Sequence, residues 1–379
     1  MKLERLRVSH FRNMAHAALE WDARINLLLG DNGHGKTNVL EAIGLLATGR
    51  SFRRASAVVM RRQGQEGFSL QAEVERAGLR HQLSFMTQGA QQQVRLNGKG
   101  VAALSGLAQI MTAVVLTPDA PALLRGPPEE RRNYLDWIIF THQRSHAVLV
   151  RDYQTALRAR NHLLRSQCSD GRQYEAWEEQ LAALGARIYQ ERLAMMRLMV
   201  QRMEGYLQAL ALDGSEYGWR LSSETVAGEE PEGELPRAQQ YREALQRSRQ
   251  GDQRGGSTSI GPHRDDPQFW QGKKILARFA SRGQQKRFLL ALKLTEADLL
   301  QERLGEPPLL LLDDPATELD QEGVRRLLQI LAGTAHQLFI AVCAEDGMVW
   351  PQECAVKRFW VREGVVQALA GATSWGEQG

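Results

Sequence analysis

The 379-residue chain exceeds the usual span of one compact domain, and with 43% hydrophobic and 24% charged residues it can build a sizeable core. This excludes a disulfide-stapled miniprotein and a mainly disordered chain, and it predicts two domains or one domain with a large insertion. A net charge of +4 is too small for a uniformly basic surface, so a polyanion site must be a local patch. Arg outnumbers Lys forty to eight, a bias suited to bidentate phosphate contacts but one that codon composition alone can produce. Cys168, Cys343 and Cys354 are odd in number and lack metal-ligand spacing, as expected in a reducing compartment. The start lacks an apolar signal core and no apolar run reaches about 18 residues, so the expectation is a cytoplasmic protein with no membrane partner.

Leu3, Leu6 and Val8 alternate with charged residues, which predicts a half-buried strand. Ile25 to Leu29 is a continuous apolar run ending at Gly30, the pattern of a strand buried on both faces. Val39, Leu40, Ile43, Leu46 and Ala47 follow at helical spacing over Lys36 to Ala47. Alternating runs at Phe68–Leu70, Leu83–Phe85 and Val94–Leu96, with a turn at Asn97-Gly98, predict an antiparallel sheet before the apolar run Ala113–Leu116. Pro118, Pro121, Pro127 and Pro128 mark a change to helical character for more than a hundred residues. There Trp177, Leu181, Leu184, Ile188, Met195, Met199, Met203, Tyr206 and Leu210 form the stripe of one long amphipathic helix, while Tyr153, Leu157 and Leu164 suggest a neighbour packed beside it. Acidic and Gly-rich loops are expected at Gly228 to Glu234 and Gly251 to Gly256. From Ile260 strand-like and helix-like runs alternate again, through Leu309–Leu312 and Leu338–Val342, with His336 expected at the surface or in a cap. The expected organisation is an α/β core, residues 1–117 and 256–379, split by a helical insertion over 118–255.

Gly30-Asp31-Asn32-Gly33-His34-Gly35-Lys36-Thr37 fits the P-loop pattern and lies between a buried strand and an amphipathic helix, the context that gives the pattern its meaning. Its glycines let backbone amides turn inward around phosphates, Lys36 would neutralise the β and γ phosphates, and the Thr37 hydroxyl would ligate magnesium. Asn38 continues the loop into the helix. A P-loop needs an acidic strand end, and Leu309–Leu312 followed by Asp313 supplies a carboxylate for the magnesium. Asp314 is then the candidate to orient the attacking water, with a turn residue before Pro315 as the competing reading. Because Asp is one methylene shorter than Glu, slow ATP hydrolysis is expected.

Ser281-Arg282-Gly283-Gln284-Gln285 opens an apolar-striped helix with Ser281 as N-cap, which alone is an ordinary capped helix. Together with the P-loop and the two aspartates it resembles the signature motif of the ABC ATPases, including SMC and Rad50 heads. The Lys36–Asp313 separation is too long for a transporter ATPase and too short for SMC arms. The similarity narrows to the RecF family on Phe11-Arg12-Asn13, Leu40-Glu41-Ala42-Ile43 with Gly49-Arg50-Ser51-Phe52-Arg53, Arg131-Arg132 with Leu135-Asp136-Trp137, and Gly261-Pro262-His263-Arg264-Asp265-Asp266.

The resemblance implies an α/β ABC-type (SMC/Rad50-like) P-loop ATPase head with an inserted helical second lobe. It implies that Arg12 and Asn13 join the ATP site, and that the Ser281–Gln285 segment meets the γ-phosphate held by a second copy. Thr317, Glu318 and Asp320 fall at the D-loop of that ATP-dependent homodimer. It implies ATP and Mg2+ as cofactors, single-stranded, double-stranded and gapped DNA and RecO/RecR-type mediators as partners, and a role in recombinational repair, fork maintenance and the SOS response, with weak DNA-stimulated hydrolysis. A transporter-energising ATPase or a Rad50-like partner of a nuclease are the alternatives. Arg50, Arg53, Arg54, Arg61 and Arg62 form the densest basic cluster and are the DNA candidates, acting on phosphate rather than on base sequence.

Overall fold

The computed structural model describes residues 1–21, 24–89, 91–102, 104–168, 170–222, 234–343, 348–351 and 354–369. Its elements begin with β1 (Lys2–Phe11), β2 (Met14–Glu20), β3 (Ile25–Leu29), α1 (Lys36–Thr48), α2 (Ala57–Met60), β4 (Gly67–Arg76), β5 (Leu79–Gln88), β6 (Gln91–Leu96), β7 (Lys99–Gly100) and β8 (Ala113–Leu116). Next come α3 (Ala122–Arg125), α4 (Pro128–His142), α5 (Ser145–Arg165), α6 (Gly171–Ala209), β9 (Tyr217–Ser222), α7 (Glu234–Gly255), β10 (Asp266–Gln271), β11 (Lys274–Ile275) and α8 (Leu276–Phe279). The chain continues with α9 (Arg282–Leu304), β12 (Leu309–Asp313), α10 (Gln321–Gly333), β13 (Leu338–Val342), β14 (Val356–Arg362) and β15 (Val365–Ala368). It divides into two compact units: one of 1–119, 209–212 and the residues from Lys286 onward, the other of 120–208 and 213–285. The division falls near 119 and 285, so residues 256–285 join the second unit, where the sequence placed the return to the core at 256.

In the first unit, β3, β13 and β12 are each buried at all five positions, as continuous apolar runs require when both faces are covered. They lie in the sheet order β15-β14-β3-β13-β12-β8, parallel throughout except for β15. A second, antiparallel sheet runs β2-β1-β4-β5-β6-β7, and its β6–β7 hairpin turns at Asn97 and Gly98 with both φ positive, as the Asn-Gly pair predicts. Helix α1 touches β1, β4 and β5 of the antiparallel sheet and β8, β12 and β13 of the parallel one. This is why it is apolar around most of its circumference, with Val39, Leu40, Ile43, Leu45 and Leu46 all buried.

In the second unit, α6 buries Leu181, Ile188, Met195, Met199 and Met203 along the expected stripe. Leu181 and Ile188 share a core with Leu149, Tyr153 and Ala156 of α5 and Leu245 of α7. The helical region is interrupted by β9, which pairs with β10; Tyr217 and Trp219 alternate inward with a period of two that the surrounding helical pattern masked. The stretch Gly251 to Gly255 is helix rather than loop. Asp252 anchors it there, accepting hydrogen bonds from Arg160 Nη1 at 2.8 Å and Ser248 Oγ at 2.9 Å, and these contacts outweigh the poor helix propensity of glycine. The acidic loop expected at Gly228 to Glu234 lies outside the described residues apart from Glu234, which opens α7. His336 is not a surface residue: it is buried, with Nδ1 3.0 Å from the Pro308 carbonyl.

Two ion networks hold the second unit together. Arg160 on α5 is fully buried and binds Glu178 of α6 and Asp252 of α7 at 3.0 and 2.8 Å. Arg192 on α6 grips both carboxylate oxygens of Asp136 on α4 at 2.8 Å, and buried His146 on α5 lies between Asp136 at 3.1 Å and Glu191 at 2.5 Å. Arg131 makes a similar two-pronged contact with Asp266 at 2.6 and 3.0 Å. Burial alone would push the His146 imidazolium pKa down, but the two carboxylates outweigh it and hold the pKa above its usual value of about 6.5. A pKa raised in the folded state adds stability that is complete below the unfolded value and is lost as pH climbs through the folded one. The urea midpoint of the second unit is therefore expected to fall as pH rises above about 6.5. His146→Gln should be less stable at pH 6 and lose that component of the pH slope; a slope equal to wild type would contradict a charged His146.

Candidate nucleotide-binding site

The loop between β3 and α1 needs glycine at two positions for steric reasons. Gly30 has φ 147° and a side chain there would collide with the Val361 carbonyl; Gly35 has φ 114° and would strike Asn13 Oδ1 at 2.7 Å. Asn13, at the turn after β1, donates to the His34 carbonyl at 3.0 Å and accepts from Asn38 at 2.8 Å, bracing the loop on both sides. Lys36 is buried and folds under the loop, its ammonium donating to the carbonyls of Gly30 and Asp31 at 2.5 and 2.9 Å. Asp31, Asn32 and Gly33 form the exposed rim.

Parallel pairing sets Leu29 of β3 beside Val342 of β13, and Ala341 of β13 beside Asp313 of β12. The carboxyl ends of three strands thus open on one crevice, the usual ligand position of such sheets. There the Thr37 hydroxyl donates to Asp313 Oδ1 at 3.0 Å. Burial raises the Asp313 pKa, opposed by the Thr37 hydrogen bond and reinforced by the like charge of Asp314. Asp314 has φ 45°, a left-handed conformation that is costly for a residue with a side chain. Its amide donates to the Ala341 carbonyl at 2.9 Å and its carbonyl accepts from Lys286 at 3.1 Å, so both ends of the residue are tied. Burial lowers the Lys286 pKa, while Glu318, Asp314 and Asp313 oppose that shift.

Arg12 is placed differently from a free ligand-binding cation. Its guanidinium pairs with both oxygens of fully buried Glu41 on α1 at 2.7 Å and donates to the Val59 carbonyl at 3.1 Å, so here it joins α1 to α2. Arg53 donates to Asn38 at 3.1 Å, which puts one of the DNA candidates beside the loop helix. Arg50 and Arg54 are exposed, and Arg61 and Arg62 are half-buried. In the turn after β12, Thr317 and Glu318 are exposed, and Asp320 caps α10 through the Gly323 amide at 2.9 Å while accepting from Arg287 at 2.6 Å.

In the second unit Ser281 and Gln284 form a reciprocal capping box: the Ser281 hydroxyl accepts from the Gln284 amide at 3.2 Å, and Gln284 Oε1 accepts from the Ser281 amide at 2.9 Å. Arg282 is exposed, Gly283 is half-buried, and buried Gln285 accepts from Arg125 at 2.7 and 3.0 Å. The first unit thus gathers the P-loop, Asp313, Asp314 and the 317–320 turn, while Ser281–Gln285 belong to the second.

Cys343 at the crevice and Glu41 on α1 were not singled out from the sequence for a role. Cys343 directly follows β13, the strand between the loop-bearing β3 and the aspartate-bearing β12. Its thiol donates to Asn32 Oδ1 at 2.8 Å and lies 3.6 Å from the Lys36 ammonium. The end of the Leu338–Val342 run was the signal for it. Glu41 was signalled by an acid on an otherwise apolar helix, which can be buried only if paired. Among the described residues, no group of three or more His, Cys, Asp or Glu side chains could hold a metal, and no helix is long and apolar enough to cross a membrane.

Residues 2–367 match the family model for the RecF/RecN/SMC N terminal domain. The DNA replication and repair protein RecF of Magnetococcus marinus is 44% identical over 372 residues, covering 96% of this chain and 97% of that one. The corresponding protein of Geobacter sulfurreducens is 35% identical, with 90% and 92% covered. Among solved structures, the recombination mediator RecF-ATP of the RecFOR pathway superposes with a TM-score of 0.82 at 27% identity, over 97% of this chain and 99% of that one. An Smc head domain from Pyrococcus furiosus superposes at 0.57 with 15% identity, over 97% of this chain and 95% of that one, a likeness of fold alone.

Lys36→Ala is expected to weaken ATP binding by roughly ten- to a hundredfold, the loss of one charge-assisted contact to phosphate. The fold should persist, as judged by an unchanged melting profile without nucleotide. Equilibrium titration with a fluorescent ATP analogue checks this, and unchanged affinity would remove the loop from the binding site.

Proposed function

Since this chain belongs to the RecF family of DNA replication and repair proteins, within the wider RecF/RecN/SMC group, we propose that it is an ATP-controlled clamp that closes on DNA at gaps and single-strand/double-strand junctions. The observation that carries the proposal is the meeting of Lys36, Thr37 and Asp313 at the carboxyl end of the parallel sheet. Loop amides and Lys36 bind the phosphates, and the α1 N-terminus adds a favourable field. Thr37 and Asp313 are an all-oxygen pair of the kind magnesium takes alongside water and substrate phosphates, so these two residues would hold it. When bound, magnesium neutralises charge developing on the phosphoryl oxygens. Asp314, fixed at both backbone ends, orients the attacking water and accepts its proton. Its short side chain makes hydrolysis slow, which suits a timed switch.

In this reading the Ser281 cap and the α9 N-terminus, with Arg282, Gly283 and Gln284, meet the γ-phosphate held by a second copy, so ATP joins two chains. Thr317, Glu318 and Asp320 line that contact. Arg50, Arg54, Arg61 and Arg62 give salt-dependent contacts to DNA phosphate. DNA accelerates hydrolysis, mediators of the RecO/RecR type act with the clamp, and the protein works in the cytoplasm. Relatives named for replication and repair, matched over 90% or more of this chain, favour this over a transporter ATPase or a nuclease partner.

Asp314→Asn should keep ATP binding and slow turnover by about a hundredfold or more, because an amide cannot take the proton. A long-lived ATP-bound dimer should accumulate, and wild-type turnover would move the catalytic role elsewhere. Ser281→Arg should bind ATP normally at low protein concentration but fail to associate, as read by light scattering with ATP. Association equal to wild type would reduce Ser281 to a helix cap.

A further inference from the structure

Residues 50–62 contain five arginines and no acid. In the middle of this segment the single helical turn α2 carries Val58 and Val59, 58% and 59% exposed. Among the described residues these are the only two large exposed apolar side chains adjacent in sequence. One helical turn cannot hold itself in water, so its position must come from its anchors. Four anchors are present. The Arg12 amide donates to the Met60 carbonyl at 2.7 Å, and the Arg62 amide donates to the His10 carbonyl at 2.7 Å. The Arg12 guanidinium binds the Val59 carbonyl while gripping Glu41 of the P-loop helix, and Met60 is buried below. The valines are therefore held outward on a braced platform, and β-branched side chains lose little rotamer freedom when something docks on them.

We propose that Val58 and Val59 cap the exposed face of the terminal base pair at a single-strand/double-strand junction, with flanking arginines on the adjoining phosphates. This rests on the DNA-binding reading and adds what the arginines cannot supply, a preference for a junction over continuous duplex. The surrounding positive charge selects a polyanion over an apolar protein surface or a second copy of this equally basic segment. Wedging apart an intact base step costs a few kcal/mol, and valine is small for that task. At a junction the last pair already presents one apolar face, so a short β-branched pair suffices.

Fluorescence anisotropy with ATP present would compare a gapped duplex with a covalently closed duplex of the same length, which has neither ends nor gaps. Wild type is expected to prefer the gap by roughly tenfold, the scale of burying part of two valine side chains. Val58→Ser/Val59→Ser should lose that preference and keep closed-duplex affinity within about twofold, whereas Val58→Ile/Val59→Ile should retain the preference. Arg61→Ala/Arg62→Ala should weaken both DNAs together and flatten the salt dependence. Melting curves of the variants establish that each is folded. A double-serine variant that keeps the gap preference, or a wild type that binds both DNAs equally, would overturn the capping role while leaving DNA binding intact. So would a double-serine variant that fails only in ATP-driven self-association. Absence of DNA binding by wild type would overturn both readings.

Discussion

The hydrogen bond from Thr37 to Asp313 joins residues 276 positions apart, and the nucleotide site depends on whatever holds them together. That constraint is the parallel pairing of β3, β13 and β12, whose strands are buried along their whole length and whose register sets Leu29 beside Val342 and Ala341 beside Asp313. With the sheet fixed, the P-loop, Cys343 and the two aspartates must emerge side by side. Helix α1, covered by both sheets, cannot shift without disturbing the core, so the loop at its N-terminus is set before any phosphate arrives.

Charge is used differently in the two units. In the first, buried Lys36 donates to the Gly30 and Asp31 carbonyls, buried Asp313 accepts from Thr37, and the strained backbone of Asp314 is fixed by hydrogen bonds at both ends. In the second, Arg160, Arg192 and Arg131 are satisfied by carboxylates of the same unit, binding helices and loops together. Removing one partner of such a buried pair would strand the other and cost about 3–5 kcal/mol. This explains why Arg131, Asp136 and Asp266, which stood out in the sequence beside the ATPase motifs, are architectural in the chain itself.

The elements around the candidate nucleotide site were legible because they are local in sequence: an apolar run, a glycine-rich turn and a periodic helix for the P-loop, and an apolar run with two acids for Asp313 and Asp314. The capping box at Ser281 was legible for the same reason. What escaped depends on tertiary contacts. Helix α7 continues through Gly251 because Arg160 captures Asp252, β9 hides its short alternation inside a helical region, and His336 is buried against Pro308. The position of Arg12 could not be read locally either, since Glu41 and the Val59 carbonyl decide it from distant points in the chain.

In the proposed clamp one chain holds only part of the catalytic site, the remainder being supplied by a second copy. The most direct test is the ATPase rate per chain measured across a wide range of protein concentrations at saturating ATP. A composite site predicts a specific activity that rises with concentration and then levels off as the dimer saturates. A specific activity that stays constant down to the lowest concentration would contradict it and make the chain a self-contained P-loop enzyme.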